Sequence, residues 1–271
     1  MKKTVLITGT SSGIGRSTAV YFASKGWNVI ATQRSPEKEK DFAAIPQIDL
    51  WKLDVNFPDQ IKETFEKIKK EYGRLDAVVN NAGYAVDGVF EAMSDEVIQK
   101  QFDTNVFGVM RITREAIRMM RPQGYGKIIQ ISSMGGKLTF PFYSIYHSTK
   151  FAIEGFTESL HYELKPFGIQ LKLIEPGLIA TEFAGRSRVF IEPKEVNDYH
   201  PQLAKFSVAA EQALKNSVDP ELVAEAIFNA ANDDSQRLRY PVGAPAPMLL
   251  LLRKILPDKL FIGMIKKTYK M

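Results

Sequence analysis

The hydrophobic pattern of the chain alternates between two lengths. Short apolar or β-branched runs occupy residues 4–8, 28–32, 48–53, 77–80, 127–131 and 170–175. Helix-length amphipathic segments lie between them, among them 13–25, 59–72, 95–120 and 144–165. Strand–helix alternation of this kind predicts a parallel sheet with helices on both faces. Most of the short runs are continuously apolar, as strands covered on both sides are. No Pro/Gly/Ser-rich linker and no internal repeat divides the chain. The expected fold is therefore a single α/β domain over 1–271, doubly wound and of Rossmann type.

The pattern loosens after Gly177. Residues 184–216 carry charges, Pro193 and Pro201. They show no clear strand and read as a substrate loop region. A helix is expected at 220–232 and a short strand at 238–242. The last segment, 246–271, mixes apolar residues (248–252, Ile255, Leu256, Leu260, Phe261, Ile262) with Arg253, Lys254, Lys259, Lys266 and Lys267. Such a segment suits a basic amphipathic helix on a membrane surface, or a gate over an apolar substrate. It equally suits a helix packed on the domain or against another subunit. Pro247 and Pro257 limit any one helix here to about three turns, which favours packing.

Composition narrows the chemistry by exclusion. The chain has 271 residues and no cysteine. Disulfides, thiolate catalysis and cysteine zinc sites are ruled out. His147, His161 and His200 are too few and scattered to argue for a metal site. The first lysines precede only a short apolar run and a glycine, which reads as a buried strand rather than a signal peptide. No run approaches the roughly 18 apolar residues of a membrane span. A cytoplasmic enzyme is expected. The net charge of +5 is modest, and nothing resembles a nucleic-acid module.

The first strand ends in Thr8-Gly9-Thr10-Ser11-Ser12-Gly13-Ile14-Gly15, where a helix begins. Glycines there let the backbone turn tightly and approach a pyrophosphate with no Cβ between. The helix N-terminus then offers free N–H groups and a positive dipole end. The spacing is T-G-x-x-x-G-I-G rather than G-x-G-x-x-G. On this loop, and on the motifs below, the chain resembles the short-chain dehydrogenase/reductase family, in its compact single-domain branch. The likeness spans about residues 3 to 185 and leans toward hydroxysteroid- and retinol-dehydrogenase-like members.

The second strand runs into Gln33-Arg34. An acidic residue at this place would accept hydrogen bonds from the adenosine ribose of NAD. Here no carboxylate follows until Glu37, and the Arg34 guanidinium suits a 2′-phosphate. NADP(H) is the expected cofactor, ahead of NAD. Arg34 as an ordinary solvated side chain is the alternative. By resemblance, Asp54 and Val55 meet the adenine, and Asn81, Ala82 and Gly83 of the Asn80-Asn81-Ala82-Gly83 motif contact the cofactor. Asn80 reads as equally structural. Pro176, Gly177, Ile179 and Thr181 match the segment that covers the nicotinamide. With Gly9, Ser11, Ser12, Gly13, Ile14 and Gly15, these form the expected cofactor set.

Tyr146 and Lys150 stand four apart on one expected helix, so both side chains can enter one pocket. A free tyrosine has a pKa of about 10, too high for proton exchange near neutrality. A nearby cation is expected to lower it. Alone this pair means little. Ser133 stands 13 positions before Tyr146, and Asn105 sits in Thr104-Asn105-Val106-Phe107-Gly108, both matching the family's catalytic set. The resemblance then implies that Tyr146 exchanges the proton with the carbonyl oxygen and Ser133 orients that oxygen. It implies that Lys150 holds the nicotinamide ribose and that Asn105 holds a water in a relay through Lys150. Ser132 is the competing serine, and strand alternation points it the other way. His147, at i+1, points about 100° from Tyr146 and reads as a packing or pocket-edge residue. Phe140, Pro141, Phe142 and Tyr143 precede the tyrosine, and Phe183, Val189, Phe190 and Ile191 follow the cover segment. They line an apolar pocket or pack in the core. The expected substrate is a small-molecule carbonyl or secondary alcohol, probed by a carbonyl panel with NADPH. The family implies a homodimer or homotetramer. A cofactor-binding regulator without catalysis, or a dehydratase or epimerase, are the alternatives in other classes.

Overall fold

In the computed structural model, residues 2–181, 187–193 and 196–271 are described. Phe183 and, of the expected substrate region, residues 184–186 and 194–195 lie outside them.

The main sheet is built from strands that bury nearly every side chain at its centre and fewer at its edges, β3 and β9. They are β1 (Thr4–Thr8), β2 (Asn28–Gln33), β3 (Ile48–Lys52), β4 (Ala77–Asn80), β6 (Gly126–Ile131), β7 (Ile169–Pro176) and β9 (Arg239–Val242). Their order is β3-β2-β1-β4-β6-β7-β9, and every pairing is parallel. The helices are α1 (Gly13–Ser24), α2 (Pro58–Glu71), α3 (Asp95–Phe102), α4 (Val109–Gln123), α5 (Ser144–Leu164), α6 (His200–Leu214), α7 (Pro220–Asn232), α8 (Ala246–Ile255) and α9 (Asp258–Tyr269).

Strand alternation divides the core into two layers. Val5, Ile7, Val29 and Ala31 pack with Phe22 of α1 and with Val223 and Ile227 of α7. Leu6, Ile30, Val78 and Ile128 pack with Ile61 of α2, Ile112 of α4 and Leu160 of α5. The doubly wound single domain is thus what the apolar runs predict. The strand order reverses at β1, so the ends of β1 and β4 part and leave a crevice where ligands of such sheets bind.

Two expectations need correction. The segment 95–120 is not one helix. A π-helical turn at Asp103–Gly108 separates α3 from α4. Gly108 lets this turn close on Val55, whose Cγ2 would stand 2.7 Å from a Cβ at Gly108. Widened turns of this type recur at functional sites.

Residues 184–216 are not strandless. β8 (Arg188–Ile191) pairs in parallel with β5 (Ala85–Gly88) in a separate two-stranded sheet. Asp87, wholly buried, receives both Arg188 nitrogens, Nε at 2.8 Å and Nη2 at 2.5 Å. A partner 101 residues away has no trace in local periodicity, and β5 is missed for the same reason.

Candidate active site

The glycine loop turns where β1 meets α1. Gly9 and Gly13 have φ of +71° and +54°, a region that L side chains rarely adopt. A Cβ at Gly15 would stand 2.3 Å from Asn81 Nδ2 and 2.4 Å from the Gly9 carbonyl oxygen. Close packing, beyond turn geometry, demands glycine there. Ser12 precedes α1 without a side-chain cap, and no carboxylate lies in the first turn. The helix N-terminus is therefore left for an external anion.

Asn81 holds this loop from β4. Its Nδ2 donates to the carbonyls of Thr8 and Gly9, each at 2.9 Å, and its backbone N–H donates to Thr8 Oγ1 at 3.1 Å. The Asn81 side chain thus fixes the cradle. Asn80 donates to Thr113 Oγ1 at 3.1 Å, a structural bond. Gly83 packs against Asn105, whose Oδ1 would stand 3.1 Å from a Cβ there.

At the adenosine end, Gln33 is buried and Arg34 is exposed. Among the described residues Arg34 forms no ion pair, and its charge acts on Tyr84. The chain after β2 folds back, so a carboxylate that spacing did not reveal returns to this corner. Glu39 pairs with Arg16 of α1 and lies beside Gln33. Arg16 also reaches Asp41 at 2.6 Å. These two carboxylates are engaged by Arg16, which leaves Arg34 as the outward cation. Asp54 accepts from the Asn56 N–H at 3.0 Å, an Asx turn that fixes the loop to Val55.

The cover segment crosses the cradle. Gly177 N–H donates to the Val242 carbonyl at 2.9 Å, and a Cβ at Gly177 would stand 2.5 Å from the Ala244 oxygen. Ile179 bridges in parallel to Val218. Thr181 then reaches Gly13, with its Cβ 3.1 Å from a Cβ built there. Pro176 ends β7 and starts this path. Glycine cradle, uncapped helix and cover together fit an extended dinucleotide.

Tyr146, Ser133, Lys150 and Asn105 converge beside that cradle. The Ser133 hydroxyl hydrogen-bonds the Tyr146 phenol and accepts from the Gly135 N–H at 3.0 Å. Ser132 turns away: its buried Oγ has no partner among the described residues and packs by Gly136 and Glu154. Lys150 Nζ donates to the Ile131 carbonyl at 2.8 Å and stands 5.7 Å from the Tyr146 ring centre. Asn105 Nδ2 donates to the Tyr84 carbonyl at 2.9 Å and to Thr149 Oγ1 at 3.2 Å. Its Oδ1 accepts from the Tyr84 N–H at 3.1 Å.

One electrostatic expectation is reversed. Burial pushes the Tyr146 phenol up to about 12, and the Ser133 hydrogen bond only partly offsets this. Burial also pulls the Lys150 ammonium down to about 8, against the charge of Glu154. The ammonium is desolvated and turned to a carbonyl, so it does not outweigh the cost of burying a phenolate. His147 is confirmed as packing. Its Nε2 accepts from the Phe140 N–H at 3.0 Å while Nδ1 meets the Gly135 carbonyl at 2.9 Å. Burial lowers it to about 4, so the ring is neutral and braces the loop.

The surroundings of Tyr146 are aromatic. The Tyr143 ring lies 6.1 Å from Tyr146 and 5.7 Å from Phe206 of α6. Phe206 stacks on Tyr269 of α9 at 5.7 Å, and Tyr269 is 6.0 Å from Phe140. Phe142 sits at φ +62° with its carbonyl accepting from the Gly88 N–H at 2.8 Å. Ile191 packs toward Ile145, whereas Val189 and Phe190 are exposed and do not pack in the core. Phe206 and Tyr269 were not foreseen. Phe206 had one local signal, its spacing of three from Leu203, the other buried residue of α6; Tyr269 had none.

Residues 3–190 match the short chain dehydrogenase family, and the chain belongs to it: it is an oxidoreductase of the short-chain type. It is similar to the uncharacterized oxidoreductase YusZ of Bacillus subtilis, 37% identical over 98% of each chain. It is 32% identical to a 3-ketodihydrosphingosine reductase of Bacteroides thetaiotaomicron over 94% of each. Among solved structures it resembles ElxO with NADP bound, at 30% identity and a TM-score of 0.74, covering 89% of this chain and 98% of that one.

Proposed function

We propose that this chain is a cytoplasmic NADP(H)-dependent carbonyl reductase or secondary alcohol dehydrogenase acting on an apolar substrate. The observation that carries the reading is the Ser133–Tyr146 hydroxyl pair beside the glycine cradle, with Lys150 behind it. The bound dinucleotide would supply or accept the hydride. Backbone N–H groups at the start of α1 would hold its pyrophosphate. Arg34 would take a 2′-phosphate, a reading supported by the NADP-bound relative.

In reduction, Tyr146 donates its proton to the substrate oxygen, and Ser133 hydrogen-bonds the same atom to place it. A phenol held near 12 is neutral at physiological pH, and so carries the proton that reduction needs. Lys150 would hold the nicotinamide ribose. Because the Asn105 amide is already engaged by Tyr84 and Thr149, a relay water would take its hold on the backbone of the π turn. The aromatic side chains of Phe140, Phe142 and Tyr143, backed by buried Phe206 and Tyr269, favour a bulky apolar carbonyl. The named 3-keto substrate of a 32% identical relative supports that class. Exposed Phe151 and Tyr162 on α5 support the expected pairing of copies through helices.

The test is a panel of aliphatic and aromatic ketones, followed by loss of NADPH absorbance and repeated with NADH. Turnover with long-chain ketones, faster with NADPH, is expected. A strong NADH preference would remove the cofactor assignment, and no net reduction or oxidation of any carbonyl or alcohol would remove the reaction.

A further inference from the structure

The last 26 residues combine two properties, a net positive charge and exposed apolar side chains. The first is charge. Residues 246–271 hold six cations and one carboxylate, Asp258, while the other 245 residues hold thirty of each. The whole net charge of +5 therefore resides in α8, α9 and the terminal residues. Asp258 is taken by Arg253 at 2.5 Å within the hairpin. Lys254, Lys259, Lys266, Lys267 and Lys270 are all exposed, and none forms an ion pair among the described residues.

The second property is exposed apolar surface. Met248, Leu251 and Ile255 are 59%, 58% and 63% exposed and share one face of α8 at spacings of three and four. Leu260 and Ile262 of α9 are exposed by more than half as well. The packing expected for this segment is only partly realised: Ala246, Phe261 and Tyr269 are buried and fix the hairpin to the domain. The remaining apolar side chains face outward among the lysines.

We infer that the α8–α9 hairpin is a docking surface for an anionic lipid bilayer, lying in the interface with Met248, Leu251 and Ile255 inserted and the lysines on the headgroups. It lies on the membrane and does not cross it, since no described helix is long and apolar enough to span one. Charge complementarity selects the partner. A second copy docked on the same face would set five uncompensated positive charges against five. A nucleic acid would satisfy the lysines and leave the apolar face in water. Anionic lipid satisfies both, and the cytoplasmic leaflet has that chemistry.

The hairpin also adjoins the site. Tyr269 at the end of α9 stacks on Phe206, and Phe206 meets Tyr143, the neighbour of Tyr146. A docked hairpin therefore brings these aromatic side chains to the bilayer surface. This consequence rests on the carbonyl-reductase reading above; docking itself does not.

The experiment is sedimentation of the full chain with phosphatidylcholine vesicles, with and without about 30% phosphatidylserine. Wild type is expected to bind the anionic vesicles at least about tenfold better, and to release at about 0.5 M salt. The variant K254Q/K259Q/K266Q/K267Q is expected to lose that preference, and M248S/L251S/I255S to lose binding. All seven side chains are surface groups, so the fold persists, as a melting curve would verify. Absence of wild-type binding, or binding that both variants retain, would overturn the proposal. So would light scattering in which M248S/L251S/I255S turns a non-binding oligomer into a smaller one, because the face would then join copies of the chain. Since binding is read without turnover, an inactive yet lipid-bound protein would sink only the reaction.

Discussion

The cofactor side and the substrate side of this molecule are held by different forces. The cradle from Gly9 to Gly15 is fixed by backbone geometry: positive φ, close approach and the two carbonyls gripped by Asn81. The substrate side is fixed by side chains from distant segments: the Asp87–Arg188 pair and the rings of Tyr143, Phe206 and Tyr269. Backbone constraints admit few residue types and so mark the sequence. Aromatic packing admits many, so the same architecture can accept different substrates on a constant cofactor platform.

The strongest way to break this comparison is Gly15→Val. The new side chain meets Asn81 Nδ2 and the Gly9 carbonyl at impossible distances. NADPH affinity measured by fluorescence titration should fall about 100-fold or more, equivalent to about 2.7 kcal/mol. Affinity within a few-fold of wild type would mean that the loop does not cradle phosphate.

Asp87→Ala makes the matching cut on the other side. It leaves Arg188, still partly exposed, without its buried partner and removes the side-chain tie that reinforces the β5–β8 ladder. A stability loss of about 2–3 kcal/mol is expected from chemical denaturation. KM for the carbonyl should rise while NADPH affinity stays level. A loss of NADPH binding instead would show that the two sides are not separable.

The division also explains what could be read in advance. Six of the seven strands of the main sheet have both ends within one residue of their apolar runs, and the glycine loop, Ser133 and the Tyr146–Lys150 pair were visible as spacings. What stayed hidden depends on chain segments far apart. Glu39 returns to Gln33 through a loop, β8 finds β5 across 101 residues, and Tyr269 reaches the site from the last turn of the chain. The direction of the Tyr146 shift was misread because spacing reports proximity to Lys150 and says nothing of burial.

A smaller effect is expected at Glu175, the penultimate residue of β7. Burial raises its carboxyl to about 7, and Glu154 adds to this while Arg239 and Lys137 oppose it. The folded chain then keeps a proton that the unfolded chain releases near the ordinary value of 4.5. Stability should fall as pH climbs from there to about 7 and level off above. Glu175→Gln should flatten this slope, worth on the order of 1–2 kcal/mol between pH 5 and 8. Parallel melting curves for the two proteins across that range would place the pH dependence elsewhere.

The central claim is that Tyr146 carries the proton on a cofactor platform that stands without it. Tyr146→Phe removes only the hydroxyl and keeps the ring beside Tyr143 and His147. Single-turnover loss of NADPH with a ketone substrate, measured with NADPH titration on the same sample, tests this most directly. The account predicts at least about a 1,000-fold fall in the rate of NADPH consumption, with NADPH affinity unchanged within about threefold. A variant that still turns over near the wild-type rate would contradict it.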